Sequence, residues 1–197
     1  MSYNRFYLYL YLYLYLSVLL PNDARESYNK LINIYNDHLL DTTLININDI
    51  IKEEKDLVFA GYDIYERKIF MSNKVIDKWS SLDSAAKAND IHLFIVSAYR
   101  SYKYQAQIIE RKIKSGKSLK EILKENKLPG FSEHHTGCAI DFTNKNQNSL
   151  SENFKYSKEY IWLLENAHLY NFYLTYSEDV FMDIGFEPWH WYYKDRK

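Results

Sequence analysis

The sequence predicts an α+β fold: a mainly antiparallel sheet flanked by helices, built as a single domain. Three observations carry that expectation. Segments with the 3.6-residue apolar period of helices are interleaved with short β-branched and aromatic runs, without the regular alternation of a parallel α/β sheet. The chain has 197 residues and 47% hydrophobic content, enough for one domain with a real core. It has only five glycines and three prolines, which excludes a Gly-rich linker or a repeat array. The domain is placed at 22–197, behind a separate hydrophobic segment at 1–21.

That first segment alternates Tyr and Leu from residue 7 to 16, and carries no charge from Phe6 to Leu20, with Arg5 just before. It is short for a membrane span, which needs about 20 residues. It fits the apolar region of an export signal, with Arg5 as a minimal basic start. Ser17-Val18-Leu19-Leu20-Pro21 has no small-x-small cleavage pattern, and no cysteine stands there for a lipid anchor. The same alternation also describes a structured amphipathic strand, with Leu on one face and Tyr on the other. Residues 1–21 are taken here as signal-like or anchor-like, which brings membrane attachment with it.

The remaining elements follow in order. Asn22 to Asp37 carries Leu31, Ile32, Ile34 and Tyr35, and reads as a polar helix with a modest apolar stripe. Leu44 to Ile51 fits a short strand or a turn. Val75, Trp79, Leu82 and Ala86 recur at helical spacing, so Lys74 to Ala88 reads as an amphipathic helix. Ile91 to Ala98 reads as a buried strand from its β-branched and aromatic content. Tyr102 to Lys114 is helical, with Ala106, Ile109 and Ile113 on one face, and Gly116 ends it. Ser118 and Glu121 form a capping box for a short helix to Glu125. Pro129-Gly130 forces a turn. Gly137 to Thr143 reads as a strand, followed by a polar loop through Asn153. Ser157 caps a helix to Tyr170, with Ile161, Leu164 and Leu169 expected inward. Phe172 to Tyr176 and Phe186 to Tyr193 read as the last two strands.

Charge and cysteine usage narrow the function classes. With 26 acidic and 25 basic residues the net charge is −1, so there is no basic footprint for nucleic acid. One cysteine excludes an intrachain disulfide framework and any Cys-rich zinc site. The 20 tyrosines, with many Asn, Ile and Lys, read as compositional bias rather than a binding device.

Chemistry concentrates in two segments. In Ser132-Glu133-His134-His135-Thr136-Gly137-Cys138-Ala139-Ile140-Asp141, a loop delivers His134, a glycine lets the backbone turn, and a strand carries Asp141. Histidine nitrogen and aspartate oxygen both suit zinc, and a catalytic zinc wants three protein ligands and one open place. Glu187-Pro188-Trp189-His190 offers the third ligand, with a glutamate three residues earlier. On an extended segment that spacing points Glu187 and His190 to opposite faces, unless the chain bends at Pro188. His38, His92 and His168 read as packing or surface residues, and His135 as a neighbour of the motif.

These patterns resemble the zinc D-alanyl-D-alanine peptidases of the VanY type. That group shares a wider fold with VanX dipeptidases, some phage endolysins and the Hedgehog signalling domain. Four further blocks agree in order and spacing: Ser97-Ala98-Tyr99-Arg100-Ser101 with Gln105, Pro129-Gly130-Phe131-Ser132-Glu133-His134, Trp162 to Ala167, and Glu187-Pro188-Trp189-His190-Trp191. The resemblance implies one zinc ion held by His134, Asp141 and His190, and Glu187 as the general base and acid. It implies Arg100 facing the developing oxyanion, Ser132 and Gln105 contacting substrate, and Tyr176 lining the pocket. The implied partner is a peptidoglycan stem peptide, cut by a monomeric carboxypeptidase of the bacterial cell envelope that removes the terminal D-Ala.

Some positions depart from the pattern. Ala98 replaces a glycine, so the backbone there must accept a β-carbon. Asn171-Phe172 replaces Gly-Phe at a helix end, Thr175 stands where an arginine often precedes Tyr176, and no arginine follows His190. Cys138, inside the metal motif, is expected buried and inert. Two rival readings remain at this point: an L,D-carboxypeptidase or endolysin-like endopeptidase, and a non-catalytic zinc-stabilised binding or signalling module on the same fold.

Overall fold

The computed structural model describes residues 22–146, 150–178 and 184–195. The segment 1–21, and with it the export, anchor or strand reading, lies outside the described residues. Helix α1 (Asn22–Asp37) buries Leu31, Ile34 and Tyr35. The stretch 44–51 is neither strand nor simple turn. It holds parts of two 3₁₀ turns, each started by a side chain: Asp41 accepts from the Thr43 amide and Asn46 from the Asn48 amide.

Strands β1 (Leu57–Tyr62) and β2 (Lys68–Ser72) form an antiparallel hairpin that the sequence patterns did not predict. Its loop lacks the Asn-Gly or Asp-Gly signal of a tight hairpin. Asp63 does the turning instead: its carboxylate accepts from the Tyr65 and Arg67 amides and pairs with the Arg67 guanidinium at 2.6 Å. Helix α2 (Ile76–Ala88) follows, with Trp79, Leu82 and Ala86 buried as its spacing requires.

The main sheet has four antiparallel strands in the order β3–β4–β6–β5: β3 (Phe94–Ser97), β4 (Ala139–Thr143), β5 (Phe172–Leu174) and β6 (His190–Tyr193). The predicted strand at 186–193 is therefore half as long as expected. Its first part is a β-turn, in which the His190 amide donates to the Glu187 carbonyl at 3.1 Å, with Pro188 at the position that favours its fixed φ. The strand expected at Phe172 to Tyr176 likewise ends at Leu174.

Helix α3 (Tyr102–Lys114) starts at Ser101, whose hydroxyl accepts from the Tyr104 amide. It packs Ala106 and Ile109 against α1 in a second core, while Ile113 is 41% exposed rather than inward. The capping box at Ser118 and Glu121 forms, and opens the single-turn helix α4 (Leu119–Ile122). Helix α5 (Lys158–Asn166) is capped by Ser157 as expected, but its buried face is not the expected one. Ile161, Leu164 and Leu169 are 52%, 51% and 67% exposed, whereas Leu163 and Ala167 are fully buried. Ile161 and Leu164 make a helical pair as good as Tyr160 and Leu163, one residue out of phase, so periodicity alone does not choose between the faces. The small Ala167 decides it, because it lets the turn after α5 approach α2 closely.

The principal core lies between the sheet, α2 and α5, and includes Trp79 stacked on Phe142 with ring centroids 5.4 Å apart. Asn171 ends the α5 segment in the left-handed region at φ 64°, a conformation Asn tolerates. Ala98 is not among the positive-φ residues, so its β-carbon brings no backbone strain.

Candidate metal centre and cleft

Sheet register is what assembles the site. Asp141 on β4 pairs directly with His190 on β6 and with Ser97 on β3. The Phe142 amide donates to the Trp189 carbonyl and the Tyr193 amide to the Cys138 carbonyl. Asp141 and His190 therefore form a non-hydrogen-bonded pair, the class in which facing side chains come closest. Asp141 Oδ1 lies 3.0 Å from His190 Nδ1. The turn at Glu187 resolves the spacing problem posed by an extended chain: it folds Glu187 back into the cleft that His190 lines.

His134 arrives from the 3₁₀ turn Glu133–Thr136, which ends at Gly137 in the left-handed region. Only glycine fits there: at φ 66°, an added β-carbon would sit 2.7 Å from the Ser72 amide nitrogen. The Arg100 amide donates to the His134 carbonyl, and the His134 ring holds the Ala98 carbonyl through Nδ1 at 2.6 Å. A carbonyl only accepts, so Nδ1 carries the hydrogen and Nε2 bears a lone pair.

That lone pair is the clearest sign of a cation site. His134 Nε2 is buried, makes no hydrogen bond, and lies 3.1 Å from Asp141 Oδ2. Burial, with Arg100 nearby, pushes the His134 pKa down to about 4, so the ring is neutral at pH 7. A lone pair facing a carboxylate oxygen across so short a gap is repulsive unless a positive charge sits beside both. One ligand atom each from His134, Asp141 and His190 all lie within 4.8 Å of one another. Two imidazoles and a carboxylate are a donor set that zinc accepts, and the residues fit the ion.

His190 is held from both sides. Its Nε2 lies 2.9 Å from Glu133 Oε2, opposite the contact of Nδ1 with Asp141. Burial alone would lower its pKa, but the hydrogen bonds to Asp141 and Glu133 raise it to about 9. In the metal-free chain the ring is an imidazolium, its proton on Nδ1 standing where a metal would share the Asp141 carboxylate. Asp141 is driven well below the usual carboxylate range: burial opposes this, and the two histidines outweigh it.

The other candidate residues converge on one cleft of about 420 Å³, lined by Arg100, Gln105, Ser132, Tyr176 and Glu187 besides the three metal-ligand candidates. Burial raises the Glu187 pKa to about 7, the range in which a carboxylate exchanges protons readily at neutral pH. Arg100 Nη2 stands 3.8 Å from Asp141 Oδ2, and its buried Nε has no partner. Gln105 is fully buried; its amide donates to the Lys127 carbonyl at 2.7 Å, while its Oε1 has no partner. The Tyr176 ring lies 4.8 Å from the His190 ring and its carbonyl accepts from the Glu187 amide.

His135 is spent on structure: its Nε2 accepts from the Gly130 amide and its Nδ1 faces the Arg100 carbonyl at 2.6 Å. Cys138 is half-buried rather than buried, and burial raises its thiol pKa, which keeps it unreactive. Glu133 had no role in the sequence reading. Its position beside a candidate ligand, at the start of the motif turn, was the available signal.

Known proteins resemble this chain in sequence and in fold. The family model for D-alanyl-D-alanine carboxypeptidase, VanY, matches residues 68–196. A D-alanyl-D-alanine carboxypeptidase of Enterococcus faecium is 32% identical over 148 residues, covering 73% of this chain and 44% of that protein. The chain spans about half the length of two of the curated relatives it matches. The LD-carboxypeptidase LdcB, solved for its peptidoglycan recognition, superposes with a TM-score of 0.63 at 32% identity, over 72% of this chain and 69% of that one. A vancomycin-resistance D,D-pentapeptidase VanY, solved in complex with Zn(II), shares the fold with a TM-score of 0.55 at 23% identity, over 73% and 86% of the two chains. With nearly two thirds of its length matched by that family model, this chain belongs to the VanY family of D-alanyl-D-alanine carboxypeptidases.

Proposed function

We propose that this chain is a zinc D,D-carboxypeptidase that removes the terminal D-Ala from peptidoglycan stem pentapeptides in the bacterial cell envelope. The observation that carries the reading is the buried, unpaired Nε2 of His134 facing Asp141, beside a glutamate poised near neutrality. His134 through Nε2, Asp141, and His190 through Nδ1 are the ligands in this account. Zinc bound there supplies Lewis acidity, polarising a carbonyl and lowering the pKa of water toward 7.

The chain's own groups do the rest. Glu187 takes the proton of the attacking water on its carboxylate and returns it to the leaving D-Ala nitrogen as the C–N bond breaks. Its burial keeps its pKa high enough to hold that proton between the two steps. Arg100, mostly buried beside Asp141, presents a fixed cation to the carbonyl oxygen as negative charge develops there. Gln105 Oε1 is a buried acceptor without a donor, suited to a peptide N–H of the substrate. Ser132, whose hydroxyl makes no cap to its own turn, and Tyr176 complete the walls.

Zinc-dependent release of D-Ala from a pentapeptide, abolished by EDTA and by Glu187→Ala, is the expected outcome. Release that survives both treatments would refute the reading. The likeness to LdcB, an LD-carboxypeptidase, favours a second reading in which the tetrapeptide is cut. Parallel incubation with tetra- and pentapeptides separates the two. No helix among the described residues is long and apolar enough to cross a membrane. An envelope location, and attachment through residues 1–21, are part of the proposal and are tested by fractionating cells that express the full chain.

A further inference from the structure

We propose that Glu133 is the positioning residue of the metal centre: it holds His190 in the one orientation and tautomer that present Nδ1 to the metal. The proposal rests on the zinc reading above and goes beyond it, because Glu133 touches neither metal nor substrate in that account.

The geometry points this way from three sides. Glu133 Oε2 lies 2.9 Å from His190 Nε2, on the side of the ring opposite Asp141. A carboxylate accepts only, so the ring hydrogen it receives belongs to Nε2. With that hydrogen fixed, the lone pair of the neutral ring falls on Nδ1, which already lies 3.0 Å from Asp141. Histidine χ2 is broad and roughly two-fold. Half a turn of this ring would replace Nδ1 by a carbon, and the bond to Glu133 is lost on the same rotation.

The placement of Glu133 in the chain adds a second link. It opens the 3₁₀ turn whose next residue is His134. One turn therefore delivers a candidate ligand directly and, through Glu133, steadies another 57 residues away in sequence. The His190 ring is otherwise bounded by the His134 ring at 4.9 Å and the Tyr176 ring at 4.8 Å, contacts that limit its tilt but do not choose a nitrogen. Glu133 is the group that chooses. A partner of this kind on a metal-ligating histidine is worth about 10–100-fold in metal affinity.

The test measures zinc affinity by competition with a chromophoric chelator, for the full chain and for Glu133→Ala, Glu133→Gln and Glu54→Gln. Glu54 is another partly buried acid, bonded through its side chain to Ser72 Oγ and not among the residues that line the cleft. Glu133→Ala is expected to raise the zinc Kd by about 10–100-fold. Glu133→Gln keeps an accepting oxygen and should recover part of that loss, while Glu54→Gln leaves Kd unchanged. Long-range imidazole ¹H–¹⁵N spectra of the zinc-loaded chain should place the His190 hydrogen on Nε2, and show tautomer mixing in Glu133→Ala. Wild-type zinc affinity in Glu133→Ala, or an equal loss in Glu54→Gln, would overturn the proposal. A wild-type chain that takes up no zinc would overturn the metal reading itself, and this proposal with it.

Discussion

Raising the pH from 7 to 9 should tighten zinc binding by about fiftyfold, most steeply in the first unit. The cause is competition for one nitrogen. In the metal-free chain His190 carries a proton on Nδ1, sandwiched between Asp141 and Glu133, and its pKa stands at about 9. At pH 7 only about 1% of the rings are neutral, and displacing the proton sets zinc back by about 3 kcal/mol. Most of that handicap is gone at pH 9, where half of the rings are neutral. His134 adds no handicap over this range, because its pKa is held at about 4 and its Nε2 is already free. Stability of the metal-free fold runs the opposite way. A histidine whose folded pKa lies above its unfolded value stabilises the fold fully below about 6.5 and loses that contribution as the pH rises through 9. The metal-free chain should therefore lose about 3 kcal/mol of stability from this ring alone between those pH values. The assay is a competition titration against a chelator of known pH dependence, run at half-unit steps, with calorimetry in two buffers to count the protons released. An apparent Kd that stays level from pH 7 to 9, with no proton released at pH 7, would refute the assignment of His190 as a charged placeholder for the metal.

Four shorter predictions test the other links. Glu187→Gln should lower kcat by about 10²–10⁴-fold with little change in KM, because the proton carrier is lost while the binding walls remain; the same variant, metal-free at pH 8, should be more stable by about 3 kcal/mol, since a buried carboxylate with a pKa of about 7 no longer has to ionise. A chemical melt that shows no gain would contradict the placement of Glu187 in a dry cleft. Gly137→Ala should destabilise by about 1–3 kcal/mol and weaken zinc binding, from its left-handed φ and the contact with the Ser72 amide; denaturant unfolding and a zinc titration read both. Leu163→Ala should cost about 2–5 kcal/mol and Leu164→Ala less than about 0.5, which in a pair of urea melts separates the buried face of α5 from the exposed one. Zinc at about 1,000 times its Kd should raise unfolding stability by about 4 kcal/mol, and EDTA should remove that gain in a thermal scan.

The site was more legible in the sequence than the scaffold around it. His134, Asp141, His190 and Glu187 lie together in one cleft, because short motifs encode local turns whose geometry is set by Gly137 and Pro188. The sequence could pose the question of how Glu187 and His190 share a side but not answer it; the β-turn through Pro188 does. What it could not express is register. Asp141 and His190 meet because β4 and β6 pair as they do, and that depends on packing of the whole sheet. The face of α5 was misread for a related reason: two apolar stripes satisfy the helical period, and only contact with α2 selects the one with Ala167. The β1–β2 hairpin escaped notice because Asp63 makes its turn with a side chain, where pattern reading looks for glycine. Glu133 was overlooked because its importance lies in a bond to His190, 57 residues on.

The measurement closest to the central claim is mass spectrometry of a synthetic stem pentapeptide incubated with the zinc-loaded chain, beside the EDTA-treated chain and Glu187→Ala. The account predicts loss of a single terminal D-Ala with zinc present, and an intact peptide in the other two reactions. An intact pentapeptide in the presence of folded, zinc-loaded protein would contradict it.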